Sequence, residues 1–347
     1  MHHIKKETSH SELFLFLDTL HEKGLIELHK IRWDWRRSFE DSEKHISSKI
    51  QDIFSGSRSN NDPLKATIIT HSTGALLSWP TINKHPEWFT TWLNVAGAVG
   101  NSNVSLHELK YDWMTPGAEF IKLLSKEVLF TFPSQYGFFR VIPDEPFRGD
   151  YESEFVSSSS EKDFLSSDSI NLYNVKDWEK FKLGIFGWKN GEVTEAEREH
   201  LKNCLEASKR FRTKNIVRPG KPDDDDSFLE NERSAYDHLE IICYGTDSID
   251  THASYEVDLE NNSVECSNSK LVTTGDGTLR SNNWKHVFGG LKKKIVYAEE
   301  GSNHVSMCVD AKLKEIMMEL FFPDDERREQ VEDAFIAKSD QDCVQHC

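Results

Sequence analysis

Between residues 65 and 98 the sequence reads strand, helix, strand with almost no chain spent on connections, and few architectures accommodate that. Lys65 to Thr70 (KATIIT) is short and β-branched, with Asn61, Asp62 and Pro63 just upstream. Ser72 to Ile82 has helical character, and Trp92 to Ala98 (WLNVAGA) is the next apolar run. Upstream, Leu13, Leu15, Phe16, Leu17 and Leu20 predict a helix with Ser9 or Ser11 as N-cap and Gly24 as its stop. Ile26 to Trp35 reads as a strand, and Ile46, Ile50 and Ile53 mark a second helix over Glu43 to Phe54. Alternation with short links requires parallel strands covered by helices, so the expected class is α/β, a mainly parallel sheet with flanking helices.

The alternation stops near residue 100 and returns at Leu239–Gly245, Lys270–Thr274 and Lys294–Glu299, before a last helix over Val309–Phe322. The interval carries Trp113, Phe130, Phe132, Tyr136, Phe138, Phe139, Trp178, Phe181, Phe186 and Trp188 among Ser-rich and acidic runs such as Ser157–Ser160 and Asp223–Asp226. Those runs read as solvated loop rather than binding elements. The expected organisation is one domain: residues 1–99 and 237–323 form its core, 100–236 an inserted cap or lid, and 324–347 a charged tail.

Charge narrows the partners. With 42 Lys+Arg against 59 Asp+Glu, the chain carries a formal net charge of −17 and no basic stripe, which excludes nucleic acid as an expected partner. It also disfavours electrostatic adsorption to anionic lipid. No apolar run reaches the roughly 18 residues of a membrane span. The start, MHHIKKETSHSE, lacks the apolar stretch of a signal peptide, and six cysteines without a CxxC pair build neither a disulfide scaffold nor a thiolate zinc site. A cytoplasmic chain with reduced thiols is the expectation. The histidines lack metal-ligand spacing, so no metal and no cofactor is implied.

The chemistry is concentrated at strand ends. KATIIT runs directly into His71-Ser72-Thr73-Gly74 and then a helix, the context of a nucleophile elbow, in which a tight bend lifts a serine hydroxyl above the sheet edge. Ser72 read alone is equally a helix N-cap. Asp276, in Thr274-Gly275-Asp276-Gly277-Thr278, and His304, in Gly301-Ser302-Asn303-His304, each follow a predicted parallel strand. GDG alone is also a plain turn signal. Strand C-termini share one sheet edge, so the order Ser, Asp, His places three distant side chains where they can converge.

In these motifs the chain resembles the lecithin:cholesterol acyltransferase family of α/β-hydrolases, which includes lysosomal phospholipase A2 and phospholipid:diacylglycerol acyltransferase. The resemblance spans roughly residues 12–322 and rests on Trp33-Asp34-Trp35-Arg36, His71-Ser72-Thr73-Gly74, Tyr244-Gly245-Thr246 with Gly275-Asp276-Gly277-Thr278, and Gly301-Ser302-Asn303-His304. The stretch Leu129–Pro133 followed by Ser134 is similar to the family's cap. It implies an α/β-hydrolase fold with a cap, Ser72 as nucleophile, His304 as general base and Asp276 as its orienting carboxylate, and the Thr73 backbone N–H as an oxyanion donor. It further implies a lipid ester substrate, with water or an alcohol as acceptor and transient contact with a lipid surface. Trp35 and Phe132 are candidate substrate-binding residues, Trp33 and Trp35 reading equally as core, while Asp34 and Arg36 are expected to pin a neighbouring loop.

The pattern departs from the family in two places. Thr70 replaces the first glycine of G-x-S-x-G, and no glycine precedes Gly24, so the N-terminal strands and the loop carrying the second oxyanion donor are expected to be missing. Two functions follow: a serine-dependent lipid O-acyltransferase or acylhydrolase, or a catalytically impaired hydrolase-like protein that binds lipids or partners.

Overall fold

The computed structural model describes residues 11–56, 65–99, 104–111, 124–139, 155–157, 170–216, 234–252, 255–258, 260–265, 272–285, 291–325, 328 and 331. By contacts the chain divides into two compact units, Ile31–Val305 and a smaller one made of Met1–Lys30 with Ser306–Cys347.

The larger unit is built on a four-stranded parallel sheet in the order β1 (Ala66–His71), β2 (Phe89–Val95), β4 (Glu240–Gly245) and β9 (Lys294–Tyr297). Thr70, Asn94 and Cys243 stand in register across the first three strands, and all three are buried. Helices α2 (Phe39–Gly56) and α3 (Thr73–Lys84) supply the covering layer. α2 extends beyond the predicted span at both ends and turns Ile46, Ile50 and Phe54 into one core with Leu76 and Trp79 of α3 and Trp92 and Ile241 of the sheet. The class is therefore α/β, as the alternation predicts.

Two sequence expectations need correction. Ile26–Trp35 is not a strand: no residue of it pairs in a ladder, although Ile31 and Trp33 pack against the core. Alternating side chains allow an extended conformation, but a strand exists only where a neighbour accepts its backbone hydrogen bonds. The predicted strand before Asp276 also lies outside the parallel sheet. It is β8 (Val272–Gly275), paired antiparallel with β5 (Ile249–His252) in a separate two-stranded sheet.

The aromatic interval has its own core. Phe130, Tyr136, Phe139, Trp178 and Phe181 are buried with Leu201 and Leu205 of α4 (Glu195–Asn215), a helix started by a capping box between Thr194 and Glu197. A three-stranded sheet of β3 (Phe155–Ser157), β6 (Tyr255–Asp258) and β7 (Ser263–Glu265) contributes Tyr255, Val257 and Val264 to that core. The buried guanidinium of Arg212 donates to the carbonyls of Gly137, Phe138 and Val99, at 3.1, 3.0 and 3.4 Å. Charged donors on three carbonyls satisfy a group that would otherwise be costly to bury. Trp113, most of Ser157–Ser160, Asp223–Asp226 and most of the tail lie outside the described residues.

In the smaller unit, α1 (Ser11–Glu22) ends before Gly24, whose φ of +68° suits the stop that the sequence predicts. Leu20 packs with Met318, Phe322 and Val331 around the last helix, Ala311–Phe321. Among the described residues no helix is long and apolar enough to cross a membrane.

Candidate active site

β1 delivers the chain to Ser72, and α3 begins at the next residue. Ser72 itself has φ 53° and ψ −124°, a region that costs a non-glycine residue of order 1–3 kcal/mol. Backbone bonds hold it there. Its N–H donates to the Val95 carbonyl at 3.1 Å, and its own carbonyl accepts from Ala75 and Ala98 at 3.1 and 3.0 Å. The sequence alternative, Ser72 as an N-cap, is not what the side chain does, for it makes no capping hydrogen bond to α3. The Thr73 N–H lies in the first turn of α3, where no intrahelical carbonyl is available to it.

The two residues flanking the serine motif explain its departure from G-x-S-x-G. Thr70 is buried, and its hydroxyl accepts the indole N–H of Trp92 at 2.8 Å. A methyl group at Gly74 would meet the Thr70 Cβ at 3.9 Å, an ordinary contact. Thr70 thus occupies the glycine position without crowding the helix and satisfies a buried donor.

Asp276 comes out of β8 into a loop shaped by its two glycines. A Cβ on Gly275 would lie 2.3 Å from the Leu279 carbonyl and 2.5 Å from Thr251 Oγ1, so only glycine fits, and Gly277 has φ +87°. Asp276 is 0% exposed. One carboxylate oxygen accepts from the N–H groups of Thr278 and Leu279, at 2.9 and 2.6 Å, and the other accepts from His304 Nδ1 at 2.7 Å. The antiparallel pair β5/β8 brings this loop to the sheet edge through Thr251, whose hydroxyl accepts the Gly277 N–H at 2.9 Å.

His304 follows β9 on the turn begun by Gly301, with φ +84°. Its Nε2 lies 2.9 Å from Ser72 Oγ. Because Nδ1 faces a carboxylate acceptor, Nε2 carries the lone pair and the serine hydroxyl donates to it. The backbone is held as well: the His304 N–H donates to the Asp276 carbonyl at 2.9 Å, and the His304 carbonyl accepts from His71 Nε2 at 2.8 Å. Ser72, His304 and Asp276, which the sequence groups by chain order and strand-end position, form one continuous hydrogen-bonded chain. His71 and Thr251 join it without having been given a role from sequence; the only signal for His71 is its place beside the serine.

The remaining candidates are placed differently. Trp35 is 39% exposed and meets Phe132 edge to face, ring centroids 5.2 Å apart, while Trp33 packs on the core. Asp34 and Arg36 do not pin a neighbouring loop. Their side chains form a two-pronged ion pair with each other at 2.8 Å, two residues apart and open to solvent. The Arg36 guanidinium and backbone N–H hold the Asp34 carboxyl at about 2. Among the described residues no cluster of three His, Cys, Asp or Glu side chains is arranged to hold a metal ion.

No protein-family model matches this chain, and no curated protein matches it in sequence. Among solved structures it is similar to a chain in the crystal structure of the Tle4–Tli4 complex, at 11% identity and a TM-score of 0.48, over 80% of this chain and 64% of that one. This chain therefore spans less than two thirds of that neighbour.

Proposed function

We propose that the chain is a serine-dependent acyl-transfer enzyme of the α/β-hydrolase type, acting on a lipid ester in the manner of the lecithin:cholesterol acyltransferase family that its motifs resemble. The observation that carries this reading is the Ser72–His304–Asp276 chain, with the serine on a strained strand-to-helix turn. Ser72 Oγ attacks the ester carbonyl carbon while its proton passes to His304 Nε2. As the ester C–O bond breaks, the imidazolium returns that proton to the departing alcohol, leaving an acyl group on Ser72. Asp276 stabilises the charged imidazole and fixes its tautomer. The Thr73 N–H, at the positive end of α3, faces the oxygen on which charge develops. Water or a second alcohol then attacks the acyl-enzyme, and the acceptor decides between hydrolase and O-acyltransferase. The exposed Trp35 and Phe132 pair fits an apolar contact with the acyl chain or with a lipid surface, which a chain of net charge −17 needs in place of basic residues.

A second reading, a hydrolase-like lipid-binding or interaction protein without turnover, is favoured by the position of β1. It is an edge strand among the described residues, and in hydrolases of this type the second oxyanion donor comes from a loop after an earlier strand. A fluorophosphonate probe separates the two. The enzyme labels at Ser72 and the Ser72→Ala variant does not, with turnover of an ester substrate falling about 10⁶-fold. Equal labelling of both would sink the enzyme reading. Release of fatty acid from phospholipid vesicles, compared with cleavage of short soluble esters, tests the lipid substrate.

A further inference from the structure

His71 is the last residue of β1 and the neighbour of the serine in sequence, yet its side chain works on the opposite partner of the site. Its Nε2 lies 2.8 Å from the backbone carbonyl of His304, and the two rings sit 5.0 Å apart at 42°. A carbonyl oxygen only accepts, so His71 carries its proton on Nε2. With this bond, each polar atom of His304 has a partner. The N–H donates to the Asp276 carbonyl, the carbonyl accepts from His71, Nδ1–H donates to the Asp276 carboxylate, and Nε2 accepts from Ser72. Of these four bonds, the His71 bond ties the His304 backbone directly to the strand that carries the serine. The direct bond between the side chains, Ser72 Oγ to His304 Nε2, is by contrast one that must break and re-form during reaction.

We propose that His71 is a positioning residue: by donating to the His304 carbonyl it locks the loop after β9 to the end of β1 and so sets the distance between Ser72 Oγ and His304 Nε2. The proposal rests on the triad reading for its effect on rate, but not for its effect on the geometry of His304. The requirement is a donor at the reach of Nε2, not an imidazole. His71→Gln carries an amide N–H at comparable reach, His71→Asn carries the same group one methylene short, and His71→Phe keeps the ring without the donor.

The test reads two quantities in these three variants and the parent. The first is the low-field proton resonance of the His304 Nδ1–H held by Asp276, assigned by its loss in His304→Gln, which needs no turnover. The second is kcat and KM for a soluble ester. The resonance is expected to stay sharp in the parent and in His71→Gln, and to broaden by exchange in His71→Phe and His71→Asn. The corresponding kcat is expected to fall about 10- to 100-fold in the last two with KM within about twofold, the scale on which a misplaced reacting group acts. A sharp resonance and undiminished kcat in His71→Asn and His71→Phe would overturn the proposal, as would a His71→Gln variant that behaves like them. A parent that shows the resonance but neither labels nor turns over would overturn the enzyme reading alone, and the resonance pattern would still decide the role of His71.

Discussion

Asp276 and Asp34 use the same chemistry at different depths, one fully buried and one partly exposed. Both are carboxylates that accept backbone N–H bonds and one charged or polar ring or guanidinium partner. The Asp34 carboxylate meets its hydrogen-bond partners within two residues, on a partly exposed turn, where an ion pair adds little to stability. Asp276 meets an imidazole 28 residues away, at 0% exposure, in a loop where one glycine has no room for a side chain. A carboxylate whose bonds all go to its own turn orients nothing beyond that turn. One that spends one oxygen on its own loop and the other on a distant imidazole can orient that base.

The sharpest way to break this contrast is Asp276→Asn. The amide can place an N–H against His304 Nδ1, which favours the tautomer with its proton on Nε2 and removes the acceptor for the serine proton. Acylation should fall about 10⁴-fold with the fold retained. Labelling of Ser72 at the parent rate would show that Asp276 is as dispensable as Asp34. Next in size is Gly275→Ala, where the added methyl must displace the Leu279 carbonyl or the Thr251 hydroxyl. A loss of about 1–3 kcal/mol is expected, read as a lower melting temperature. Gly56→Ala, with open space around the site, should leave the melting temperature near that of the parent. Similar shifts in the two would remove the steric account of the Asp276 loop.

The smallest effect belongs to Asp34→Asn. The carboxyl of Asp34 is held at about 2, below its unfolded value near 3.9, so its contribution is present above that unfolded value and is lost as pH falls through about 2. Parent and variant should differ slightly at neutral pH, converge on acidification through this window, and label at the same rate. A labelling defect in Asp34→Asn would mean that the Trp33–Arg37 turn reaches the reacting atoms after all.

The same contrast measures what the sequence makes legible. KATIIT followed by H-S-T-G encodes strand, bend and helix within ten residues, because β-branching, a small residue and a helix start are local properties. The chain order Ser, Asp, His carries the site further than any of its motifs alone. Ile26–Trp35 fails for the complementary reason: its alternation is that of a strand, but a ladder needs a neighbour, and neighbours are not written in periodicity. The antiparallel pairing of β8 with β5 is likewise a relation between segments. So is the bond from His71 to a carbonyl 233 residues away. The aromatic richness of 100–236 is visible as composition, whereas the partition of Phe138 to the sheet core and Phe139 to the second core depends on packing alone.

The bond between Thr70 and Trp92 ties the serine motif to the strand beside it. A glycine at position 70 would give the commoner elbow pattern, but it would remove the hydroxyl that accepts the indole N–H of the buried Trp92. Thr70→Gly is therefore expected to cost more here than in a variant whose residue 92 carries no indole N–H. Two residues 22 positions apart are thus expected to be coupled, so that changing both costs less than the sum of the single changes.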